Sequence, residues 1–141
     1  MSVRPLEHTA DAGIEVRAAT VDGLFAEAAA GLVSVITDPS RVEPRQEQAV
    51  EVTAPDLEQL MVEWLEELLF RFETTRMLPA AAQVVVSREA GNGWRLAGTV
   101  RGEPFDPARH PLAVAVKAVT YHGLSVAGDV DGWRATVIFD I

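Results

Sequence analysis

At 141 residues the chain is long enough for one domain that buries about two thirds of its unfolded surface, and 12 basic against 21 acidic side chains give it a formal charge of −9. That balance opposes independent, non-specific binding to a phosphate backbone, and the absence of cysteine excludes disulfides, thiolate zinc sites and cysteine nucleophiles. The first residues lack the apolar stretch of a signal peptide, and no run approaches the ~18 apolar residues of a membrane span, so a single cytoplasmic domain over residues 1–141, with no membrane partner, is expected.

From Gly13 to Ala19 the chain alternates, Ile14 and Val16 against Glu15 and Arg17, and predicts a strand. Thr20 is placed to cap a helix in which Val21, Leu24, Phe25, Ala28, Leu32, Val35 and Ile36 recur at helical spacing until Asp38-Pro39 ends it. Gln46 to Thr53 sets Val50 and Val52 opposite Glu47, Glu51 and Thr53, a half-buried strand. A second helix is expected from about Asp56. Leu57, Leu60, Met61, Trp64, Leu65, Leu68, Leu69 and Phe72 form its apolar stripe, while Glu58, Glu63, Glu66, Glu67 and Glu73 lie mostly off it and predict an acidic outer face.

The second half is strand-rich. Gln83 to Arg88 and Trp94 to Arg101 flank Gly91-Asn92-Gly93, whose Asn-Gly pair suits a tight hairpin. Leu112 to Tyr121 is apolar on both faces, like a central strand. Leu124 to Ala127 and Trp133 to Phe139 flank Gly128 to Gly132 as a terminal hairpin. Two long helices with six or seven strands predict an α+β, two-layer domain, the helices packed on a mostly antiparallel sheet.

Candidate chemistry gathers at the two ends of the chain. Asp11 precedes Gly13 at an irregular point, where an isolated Asp is more often a turn or capping carboxylate. Asp140 stands beside Ile141, so its side chain and the terminal α-carboxylate place two anionic groups within one residue, the oxygen cluster that hard divalent cations prefer. Asp140 alone also reads as a salt-bridging residue at the rim of a sheet. If Asp11, Asp140 and the Ile141 carboxylate converge, they repel one another unless a proton or cation intervenes. Calcium, magnesium or manganese would suit such donors.

His8, His110 and His122 lack zinc-type spacing, and His8 and His122 are candidates to orient nearby carboxylates or to contact a partner, against the commoner role of a structural histidine. The proline-stiffened loop Gly102 to Pro111 carries Glu103, Asp106, Arg109 and His110, and is either a recognition loop or a solvated connection. Lys117, on an apolar segment, needs a carboxylate such as Asp106 or Asp140, or must leave the sheet at an edge. There is no phosphate-loop motif, dinucleotide fingerprint or serine nucleophile elbow.

His8-Thr9-Ala10-Asp11-Ala12-Gly13-Ile14, Val62-Glu63-Trp64-Leu65-Glu66-Glu67-Leu68-Leu69, Gly102-Glu103-Pro104-Phe105-Asp106 with His110, Val116 to Leu124, and Val137-Ile138-Phe139-Asp140-Ile141 together resemble the archease family from end to end. Ala12 stands where that family often has a larger aliphatic residue. The resemblance implies a fold related to strand-helix-strand-strand modules. It also implies a non-catalytic accessory protein of the RtcB-type RNA ligase, which joins RNA ends in tRNA splicing and RNA repair with GTP and manganese. Such a protein promotes guanylylation of the ligase and its multiple turnover, and meets RNA only through it. The family's metal positions fall on Asp11, Asp140 and Ile141; His8, Asp106, His110, Lys117 and His122 stay partner-facing or supporting candidates from the residues themselves. Two other readings stay open: an autonomous hydrolase using Asp11, Asp140 and a metal-activated water, and a general chaperone or interaction module.

Overall fold

Both helices start at the capping side chains that the sequence supplies. In a computed structural model that describes residues 2–7 and 11–141, the side chains of residues 6 and 7 excepted, the Thr20 hydroxyl accepts from the Gly23 N–H and the Asp56 carboxylate from the Gln59 N–H. These caps open α1 (Val21–Ile36) and α2 (Leu57–Thr75). The described strands are β1 (Ser2–Glu7), β2 (Asp11–Ala18), β3 (Gln46–Ala54), β4 (Met77–Arg88), β5 (Trp94–Pro104), β6 (Ala118–Val119), β7 (Ser125–Asp129) and β8 (Gly132–Asp140).

The strands form two antiparallel sheets, where the sequence suggested one. Five strands make the first, ordered β1-β2-β8, with β6 and β7 both on the far edge of β8; three make the second, ordered β3-β5-β4. The two helices pack against these sheets, which keeps the α+β reading. Ile14 and Val16 of β2 and Ala135, Val137 and Phe139 of β8 are fully buried, and meet Leu24, Phe25, Ala28 and Leu32 of α1 and Trp64, Leu65 and Leu68 of α2 in one core. The indole N–H of Trp64 donates to the Phe25 carbonyl at 2.8 Å, so the one polar atom of this large ring is satisfied and ties the helices together.

Strand β1 was not foreseen; it closes the outer edge of β2, from Ser2 opposite Arg17 to Glu7 opposite Ala12. The β4–β5 connection is the tight hairpin expected through Gly91-Asn92-Gly93, with its left-handed positions at Gly91 and Asn92 in place of the Asn-Gly pair. Arg88 pairs with Trp94, the Glu89 N–H bonds to the Gly93 carbonyl at 2.8 Å, and the left-handed residues are Gly91 (φ 93°) and Asn92 (φ 89°).

Leu112 to Tyr121 is not a central strand, since only Ala118–Val119 pair, on an edge. The reason lies in β8. From Gly132 to Thr136 its free edge is occupied by β7, which leaves Phe139 and Asp140 to take β6. Leu112 and Tyr121 are accordingly 52% and 62% exposed.

Candidate functional site

Strand register brings the two ends of the chain together. In the β2–β8 ladder Asp11 lies directly opposite Asp140, and directly opposed residues of an antiparallel pair project from the same face. Ile14, Val16, Val137 and Phe139 fill the inner face, so strand alternation puts Asp11 and Asp140 on the outer one. Asp140 is exposed, whereas one carboxylate oxygen of Asp11, Oδ1, is buried and has no hydrogen-bond partner among the described residues. An orphaned carboxylate oxygen beside a second carboxylate fits a cation-binding pair, because like charges directly opposed across a ladder are otherwise destabilising. Among the described residues no group of three or more His, Asp or Glu side chains is placed to hold a metal. Ile141, next to Asp140, is half-buried.

On its other side Asp140 is opposite Ala118. Its carbonyl accepts from the Lys117 N–H at 2.8 Å, and the Thr120 N–H reaches the Ile138 carbonyl at 2.9 Å. The Val119 N–H turns toward α2 and meets Glu66 Oε1 at 3.3 Å. This short stitch between β8 and α2 builds an open cleft of about 520 Å³ lined by Val119, Thr120, Tyr121, His122 and Asp140. His122, exposed and on that rim, is the one described histidine that shares a cleft with Asp140.

Lys117 leaves the sheet at its edge and is exposed; it forms no ion pair with Asp106 or Asp140, and meets the latter through backbone alone. His8 lies outside the described residues.

Asp106 and His110 belong to a different construction. His110 is fully buried, and its Nε2 lies 3.2 Å from Oε2 of Glu103, itself only 4% exposed. The Asp106 N–H donates to His110 Nδ1 at 2.9 Å, which leaves Nε2 to carry the proton toward Glu103. Glu103 also accepts from the Arg109 guanidinium and from the Glu43 N–H. The Arg109 bond, with those backbone and histidine donors, holds the Glu103 carboxyl down at about 2 despite its burial. Gly102 to Pro104, expected as loop, are the end of β5; the loop that follows is fastened to Glu103 and to the 41–45 segment, and none of the hydrogen bonds found for Glu103, Asp106 and His110 reaches Asp11 or Asp140. The Glu-x5-Arg-His spacing was visible in the sequence, but the burial that makes it structural was not.

A family model, the Archease protein family (MTH1598/TM1083), matches residues 4–141. The chain is 43% identical over 136 residues to the protein archease of Methanopyrus kandleri, covering 96% of each chain. To the protein archease of Methanosarcina mazei it is 38% identical, over 96% of this chain and 93% of that one. The solution structure of Methanobacterium thermoautotrophicum protein 1598 superposes with a TM-score of 0.81 at 32% identity, covering 99% of this chain and 98% of that one.

Proposed function

The chain belongs to the archease family, and from that premise we propose that it is a non-catalytic activator of an RtcB-type RNA ligase, promoting guanylylation of the ligase and its multiple turnover in tRNA splicing and RNA repair. The observation that carries the chemistry is the opposition of Asp11 and Asp140, with Asp11 Oδ1 buried and without a hydrogen-bond partner among the described residues. Asp11, Asp140 and the Ile141 α-carboxylate would hold a divalent cation, calcium, magnesium or manganese. When bound, such an ion supplies positive charge and coordination positions for phosphate oxygens. The residues of this chain provide the rest. The β2–β8 ladder fixes the two carboxylates in register, the β6 stitch holds the Asp140 backbone, and His122 and Tyr121 form the rim against which a partner closes.

The net charge of −9 supports an encounter with a basic ligase cleft, where complementary charge speeds approach and sets orientation. RNA is met only through the ligase, since the chain's own charge repels a phosphate backbone.

Timing the covalent guanylate adduct on the ligase, with GTP and manganese, tests this directly. The protein should accelerate adduct formation while leaving RNA and GTP unchanged on its own. Asp11→Asn and Asp140→Asn should cut stimulation about 10- to 100-fold. Turnover of RNA or GTP by the protein alone would establish the hydrolase reading instead. Equal stimulation of unrelated enzymes would establish a general chaperone.

A further inference from the structure

Helix α2 carries an aromatic side chain on the wrong face for a core residue. Its buried positions include Leu60, Met61, Trp64, Leu65, Leu68, Leu69 and Phe72, while Phe70 points away from them and is 60% exposed. On a helix surface its neighbours are the residues three and four away, here Glu66, Glu67, Glu73 and Thr74, with Glu63 one turn beyond.

Two of these acids are already engaged. Glu66 accepts from the Val119 N–H, and Glu67 pairs at 2.7 Å with Arg71, whose guanidinium also reaches Gln48 and the Ala49 carbonyl. Glu63 and Glu73 are exposed and form no hydrogen bond or ion pair among the described residues. A large apolar side chain thus stands in the open between free carboxylates, joined through Glu66 and Val119 to the cleft that holds Asp140.

We infer that this face of α2 is a docking surface in which Phe70 enters an apolar socket on a partner protein, and Glu63 and Glu73 meet basic residues on the socket's rim. The sign of the charge selects the occupant. A phosphate backbone or an anionic lipid surface would meet like charge, and a second copy of this chain placed across a two-fold axis would set Glu63 and Glu73 near their own equivalents. A basic protein surface satisfies both the ring and the acids, and an aromatic side chain buried in a partner's pocket and ringed by water-excluding contacts can carry much of a binding energy.

The choice of partner rests on the proposed function, under which it is the ligase. The test therefore uses the full-length protein and its RtcB-type ligase, with affinity measured by calorimetry at low and high salt and stimulation measured as guanylate adduct. Phe70→Ser should weaken binding about tenfold or more with the melting temperature unchanged. The double variant Glu63→Lys/Glu73→Lys, which keeps Phe70, should weaken affinity at low salt and reduce its salt dependence. Wild-type affinity in both variants, while the wild-type protein binds and stimulates, overturns this inference alone. No binding or stimulation by the wild-type protein overturns the ligase reading together with it. Concentration-dependent dimerisation in sedimentation, abolished by Phe70→Ser, would overturn it in favour of a second copy as occupant.

Discussion

Glu103 shows how a carboxylate stays ionised inside a protein. Only 4% exposed, it is surrounded by donors from Arg109, the Glu43 backbone and His110, and its pKa lies at about 2 against 4.5 for a free glutamate. A pKa depressed in the folded state contributes stability that is full above the unfolded value, near 4.5, and is lost as pH falls toward 2. Glu103 is buried but Arg109 is partly open to water, so the main loss on replacement is the buried carboxylate's hydrogen bonds, and Glu103→Gln should cost about 1–3 kcal/mol at neutral pH. Urea titrations should show that deficit shrinking between pH 4.5 and 2; a deficit independent of pH there would contradict the assignment.

Asp11 and Asp140 call for the opposite result. Opposed like charges destabilise a ladder by about 0.2–1 kcal/mol, so in chelator Asp140→Asn should melt slightly higher than the wild-type protein. Adding manganese or calcium should then raise the melting temperature of the wild-type protein only. Equal responses would remove the cation from the proposal.

Between elements, the close approach of α1 to β2 depends on Gly31. A methyl group there would stand 2.6 Å from Cδ1 of the fully buried Ile14, so Gly31→Ala should overpack the contact and cost about 1–3 kcal/mol, measurable by thermal denaturation. The periodicity of both helices was legible because core packing and capping are written at 3.6-residue spacing. The stripe from Leu57 to Phe72 also left Phe70 off its face, a signal available in the sequence whose exposure only the fold establishes. Leu112 to Tyr121 misled for a definite reason. An apolar segment becomes a central strand only where an edge is free to receive it, and β7 already pairs with β8 from Gly132 to Thr136.

For the whole molecule, a charge of −9 concerns encounter more than fold. Association with the proposed ligase should slow markedly between low salt and 0.15 M, where the screening length is about 8 Å; stopped-flow rates that ignore ionic strength would count against electrostatic docking. Extending the chain beyond Ile141 converts its carboxylate to an amide, so stabilisation by manganese should fall with the fold otherwise unchanged.

By itself the sequence determined both helices and their caps, most strand segments, the α+β class, and the family resemblance carried by its end-to-end motifs. These are local, set by side-chain period and capping chemistry within one turn or one strand. Only tertiary structure decided that the strands divide between two sheets, that β1 covers β2, that His110 is locked against Glu103, and that Asp11 faces Asp140. The sheet division and the Asp11–Asp140 opposition join residues distant in the chain and are fixed by strand register and by which edge remained open, whereas the His110–Glu103 lock spans seven residues and depends on a burial that no local pattern shows.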